Sequence, residues 1–194
     1  MLLFHVRNKY KQYKIGKQSM NTIYKCLLSS LLGLSIIHAY AAKPALSSVN
    51  KSSCGKLAYT THPFILVLNN NDNLISSITQ CAKAAKLKGA SISGLGQVHN
   101  PVLAYFSSDP NAKPTLTSFH GYYELASLTG NITNNANQYY THLHAVLADK
   151  QFHGIAGHVQ SAKVGLTAEI TITPFTSPIQ RVVDPKTGFG TIVQ

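Results

Sequence analysis

The chain has 194 residues, 44% hydrophobic and only 12% charged, a balance that supports a packed core and excludes a disordered, charge-rich polymer. Its formal net charge of +11 suggests nucleic-acid binding, but six of the 17 basic residues and none of the 6 acidic ones lie in residues 1–41. The rest carries 11 basic against 6 acidic residues, or +5, so the basic excess is densest in a leader.

That leader, residues 1–41, reads as an export signal. Lys25 supplies the positive flank, Leu27 to Ile37 the apolar run, and Ala39-Tyr40-Ala41 a small-x-small cleavage site that makes Ala42 the new N-terminus. The apolar run is shorter than the roughly 20 residues that span a bilayer, which disfavours the alternative of an uncleaved anchor. The stretch Met1 to Ser19 is either a long n-region or lies upstream of a genuine start at Met20. The expected location is periplasmic or secreted. Cleavage removes Cys26 and leaves Cys54 and Cys81. In an oxidising compartment these two either pair or remain as separate thiols; a bridge closing that loop contributes roughly 3 kcal/mol.

Residues 42–56, rich in Ser, Asn and Lys, are expected as a flexible lead-in. "PFILVL" (Pro63 to Leu68) is a short apolar run with strand character. Asn73 is placed as an N-cap, and Leu74 to Leu87 follow as a helix. Its stripe is Leu74, Ile75, Ile78, Ala82 and Ala85, its C-terminal end is basic, and Gly89 is placed as C′. The chain then turns β-rich. "ASISGLGQV", "PVLAYF", "TLTSF", "YYELASLTG" and "AKVGLTAEITITPF" read as strands, with "NITNNANQ" as a loop and residues 176–194 as a tail or surface arm. One main helix flanking a largely antiparallel sheet makes an α+β domain over residues 57–175.

Four of the nine histidines fall in "THLHAVLADKQFHGIAGHV", Thr141 to Val159. If this segment is a hairpin, side chains alternate, so His142, His144, Val146 and Ala148 share one face and Leu143, Ala145 and Leu147 the other. The register must align the apolar faces, which pairs Leu147 with Ile155 and Leu143 with Val159. His144 then stands opposite His158, with His142 one pleat away, while His153 falls on the other face near the turn. Directly opposed Cβ atoms are about 5 Å apart, within reach of one ion at about 2.1 Å from each ring nitrogen. Neutral imidazoles suit zinc and also iron, nickel or copper, and three protein ligands leave a position open for water or a substrate. The bland alternative is a set of polar residues on a half-exposed face.

In order, "SGLGQV", "GYYELASLTGNI", "HLHAVLAD", "GIAGHV" and "LTAEITI" resemble the PPC (plants and prokaryotes conserved) domain, from about Leu57 to Pro174. The resemblance implies a fold similar to acetolactate decarboxylase, a mixed sheet with a flanking helix, and assembly as a homotrimer. It also implies a metal on the H-x-H pair and a later histidine, which here match His142, His144 and His158. Plant relatives bind DNA through separate AT-hook segments, and this chain has no Arg-Gly-Arg-Pro hook.

The leading expectation is therefore an exported trimer with a three-histidine centre for Zn2+ or another divalent transition metal, binding or transforming a small molecule. Glu124 is the candidate general acid or base beside a metal-bound water, and Glu169, His99 and His120 are weaker candidates. The competing expectations are a DNA-binding module and a structural trimer without metal.

Overall fold

The computed structural model of the protein describes residues 47–193 other than 110 and 187; the expected leader lies outside the described residues. The elements follow the order β1 (Ser47–Val49), a 3-10 helix (Lys51–Leu57), β2 (Phe64–Asn69), α1 (Leu74–Ala84), β3 (Gly89–Tyr105), β4 (Thr115–Ser118), β5 (Tyr122–Asn135), β6 (Gln138–Ala148), β7 (Gly154–Pro174), β8 (Arg181–Val183) and β9 (Gly190–Ile192). One main α-helix and a largely antiparallel sheet make an α+β fold, as the strand and helix periods imply. The first seven strands are ordered β1-β2-β7-β6-β5-β3-β4, with β7 also paired to β3. The strands β3, β5, β6 and β7 thus form a closed circuit, and only β1 joins its neighbour in parallel.

Helix α1 starts where its cap dictates: the Asn73 side chain accepts the Ser76 N–H at 2.9 Å. It ends earlier than the periodicity suggests. Lys86 takes a left-handed conformation at φ 50°, Leu87 N–H donates to Ala82 C=O, and Lys86 N–H donates to Lys83 C=O. That is a Schellman stop with Lys86 rather than Gly89 at C′; Gly89 instead opens β3. Leu74, Ile78 and Ala82 are fully buried and Ile75 partly so, against a core that includes Leu125, Leu128, Leu143, Leu147 and Ile170. The described part of the stretch expected as a lead-in carries β1 and most of the 3-10 helix. The 3-10 helix is tied to α1 by a Cys54–Cys81 disulfide across a separation of 27 residues, which resolves the cysteine alternatives in favour of a bridge.

Three expected breaks are continuous strand. "ASISGLGQV" and "PVLAYF" join into β3 through a left-handed Asn100 at φ 48°, whose side chain accepts the Gly121 N–H at 2.8 Å. Gly154–Pro174 is one strand, which pairs with β6 at its start and with β2 near its end. Most of "NITNNANQ" extends β5, and the turn is only Ala136 and Asn137, at φ 49° and 70°. Positive φ at both central residues is the type I′ geometry whose twist suits a two-residue hairpin. A bulge between Leu125 and Ser127 lets Leu125 and Leu128 both point inward despite their odd spacing.

Candidate metal centre

The β6–β7 ladder pairs His144 with His158, Ala145 with Gly157 and Leu147 with Ile155. This is the register that burying Leu143, Ala145, Leu147 and Val159 requires, and all four are buried. Leu143 and Val159 lie one step beyond the last paired residues, because β7 there runs on beside β3, where Val159 faces Leu103. The histidines occupy the opposite face. Ring centroids are 5.2 Å apart for His142 and His144, 5.0 Å for His142 and His158, and 5.4 Å for His144 and His158. One ring nitrogen from each lies within 4.8 Å of the others. Tetrahedral ligands on one zinc are about 3.3 Å apart, given bonds of about 2.0–2.1 Å. Small side-chain rotations close that gap.

The neighbourhood of His142 comes from a part of the chain expected to be a tail. Strands β8 and β9 form a separate hairpin. Arg181 in it donates through Nη2 to Asn131 Oδ1 at 2.8 Å and meets His142 Nδ1 at 3.2 Å. Arginine only donates, so Nδ1 is the acceptor, and the proton of the neutral ring sits on Nε2. Burial, then the charges of His158, Arg181 and His144, push the His142 pKa down to about 4. Burial and His144 also lower that of His158. Both rings are thus held neutral, the form in which imidazole binds a metal. The three rings line a cleft of about 570 Å³ together with Phe106, Tyr140, Phe189 and the β9 backbone. Phe106 stands edge-on to both His158 and Phe189, at 5.2 and 5.3 Å between centroids.

The other candidates lie elsewhere. Glu124 is exposed, accepts a hydrogen bond from Gln97 Nε2 at 3.1 Å and does not line the cleft. Glu169 is exposed on β7 between Val67 and Leu95. His99 stacks on Tyr122 at 4.5 Å, and His120 is exposed. His153 meets Asp149 in the turn at 3.2 Å, outside the centre as the face count implies. Sequence reasoning missed Arg181, Phe189 and Phe106. The only signal was the alternation of "RVV" and "GTIV" flanking a Pro-Lys-Thr-Gly turn in the supposed tail.

Among solved structures, the protein is similar to a candidate DNA-binding protein from Bacteroides thetaiotaomicron, with 25% identity over 69% of this chain and 93% of that one, at a TM-score of 0.65. A plant- and prokaryote-conserved (PPC) protein from Pyrococcus horikoshii aligns at 24% identity, 69% and 92% coverage and a TM-score of 0.63. A protein from Archaeoglobus fulgidus described as metal-containing aligns at 22% identity, 68% and 93% coverage and a TM-score of 0.61. The last two likenesses speak to the fold. No protein with a curated description matches at a significant level. Residues 58–176 match the Plants and Prokaryotes Conserved (PCC) domain, and the chain belongs to that family.

Proposed function

We propose that this is an exported metal-binding protein, in which His142, His144 and His158 hold one divalent transition ion at the floor of a small-molecule cleft. One observation carries the reading: His144 and His158 are directly paired across the ladder with His142 one pleat away, so that three ring nitrogens converge within 4.8 Å. Zinc fits best, because an all-imidazole set with one open position suits its tetrahedral preference. The held ion supplies a Lewis acid to whatever enters the cleft. The chain's own residues do the rest. The ladder sets the imidazole spacing, burial keeps His142 and His158 unprotonated, and Phe106 and Phe189 give the cleft an apolar side. The description of the Archaeoglobus fulgidus relative as metal-containing supports the reading. Export is supported by the leader sequence and by the buried Cys54–Cys81 disulfide, a bond that persists in oxidising compartments. Homotrimer assembly is part of the same proposal.

The test is elemental analysis of protein purified without a chelator or a histidine tag. About one metal per chain, lost in His144→Ala, is the expected result; no metal in the wild-type protein rejects the reading. Light scattering gives the assembly, and export of a reporter fused after Ala42 gives the compartment.

DNA binding is the second reading, favoured by the description of the Bacteroides thetaiotaomicron relative and by the +5 that remains outside the leader. A mobility shift that weakens steeply with salt supports it; the absence of any shift at low salt removes it.

A further inference from the structure

We infer that the cleft takes a small carboxylate with an apolar body, its carboxylate shared between the ion on the three histidines and Arg181. The inference rests on the metal reading above and adds the chemical class of the ligand.

Charge is the first argument. Three neutral imidazoles leave the charge of a divalent ion intact, and Arg181 adds another beside it. Among the described residues lining the cleft, none carries a carboxylate. A cluster of about three positive charges in a partly desolvated cleft needs an anion, and the described lining residues do not supply one there.

The second argument is the hydrogen bonding of Arg181. Its backbone N–H donates to Asn135 Oδ1 at 3.0 Å and its Nη1 to Gly190 C=O at 2.7 Å, so the guanidinium is clamped in place. Its Nε is buried and has no hydrogen-bond partner among the described residues. On the cleft side Nη2 relies on His142 Nδ1. Whichever nitrogen of His142 meets the ion, the other carries the proton, so the ring stops accepting from Arg181. An anionic oxygen bound to the ion restores that acceptor without moving the arginine. Held this way, the arginine is preorganised for a carboxylate.

The third argument is shape. Phe106, Phe189 and Ile192 form an apolar wall on the cleft, and about 570 Å³ accommodates a small organic acid. Arg181, Phe189 and Ile192 all lie beyond residue 176, where the family match ends. The recognition chemistry is therefore supplied by this chain's own C-terminal hairpin, and the ligand set by the domain.

The experiment uses the cobalt(II)-loaded protein, with benzoate as the probe and benzamide as its uncharged counterpart, followed by visible absorption and calorimetry. Benzoate is expected to bind at least about tenfold more tightly than benzamide. Arg181→Met should cut that ratio several-fold, to what the ion alone provides, while keeping about one ion per chain, and Arg181→Lys should lower it less. Melting temperatures establish that each variant is folded. If Arg181→Met does not fold, the benzoate-to-benzamide ratio in the wild type and its reduction in Arg181→Lys carry the test. Equal binding of the two probes, or an unchanged ratio in Arg181→Met, overturns this inference and leaves the metal reading standing. Failure to take up any ion overturns both.

Discussion

Cys54 sits in the 3-10 helix and Cys81 in the middle of α1, and their bond closes a loop of 27 residues. Chain-entropy bookkeeping gives about 3–4 kcal/mol for a loop of that length, since ln 27 enters at 1.5R with a constant of about 2 cal/mol/K. For a domain of this size 1 kcal/mol moves Tm by about 2–4 °C, so losing the bond lowers Tm by roughly 10 °C. The relevant perturbation is the double variant Cys54→Ala/Cys81→Ala, compared with wild type by calorimetry or circular dichroism. Cys54 and Cys81 are 0% and 1% exposed, so a phosphine reductant should act only when the chain opens. Reduction of the native protein should accordingly be slow and should accelerate sharply in mild denaturant. Thiol titration of the unfolded, unreduced protein should find neither Cys54 nor Cys81 free. A double variant melting within 1–2 °C of wild type, on the scale of about 10 °C set by the loop entropy, would refute the reasoning.

Other tests address the centre directly. A Cβ at Gly130 would overlap the His142 carbonyl oxygen. Gly130→Ala should therefore destabilise the fold by about 1–3 kcal/mol in denaturant titration and weaken metal binding, although residue 130 is no ligand. Ala136 sits at φ 49° in the type I′ turn, so Ala136→Gly should raise stability by up to about 1 kcal/mol, read as a higher denaturant midpoint. His142 is neutral in the folded apo-protein down to about pH 4, whereas an unfolded imidazole protonates near 6.5. The unfolded state thus binds more protons between those values. Stability is fully present above about 6.5 and falls as pH drops towards 4; a denaturant midpoint that rises on acidification contradicts this sign. Chelation of metal-loaded protein should lower Tm by several degrees, and should leave His144→Ala unchanged.

The triad was legible because strand chemistry is periodic. Alternating His142, Leu143 and His144 fixes two faces, and the need to bury Leu143, Leu147 and Val159 then fixes the register that sets His144 against His158. The N-cap at Asn73 was legible because an Asn followed by an apolar 3.6-residue stripe has few other readings. Element ends were harder. Lys86 ends α1 in a left-handed conformation that residue type disfavours, because burial of Leu87 decides the exit. The β5–β6 turn looked like a loop because five of the eight residues in "NITNNANQ" are Asn or Gln. Asn131, Asn134 and Asn135 are there for their side chains, which hold Arg181, Leu87 and the turn. The contribution of β8 and β9 left only the faint alternation of two three-residue strands, and their role depends on a contact 39 positions away, from Arg181 to His142.

The divided origin of the cleft bears on how its parts can vary. Its imidazoles are anchored to the hydrogen-bonded ladder of the closed strand circuit, where a one-residue slip would turn the core inside out. Its arginine and one of its phenylalanines arrive on a separate hairpin that no ladder joins to the framework strands and that is held to β5 and β6 by the contacts of Arg181. Changes in the hairpin can therefore alter the wall of the cleft while the spacing of the three imidazoles stays as it is.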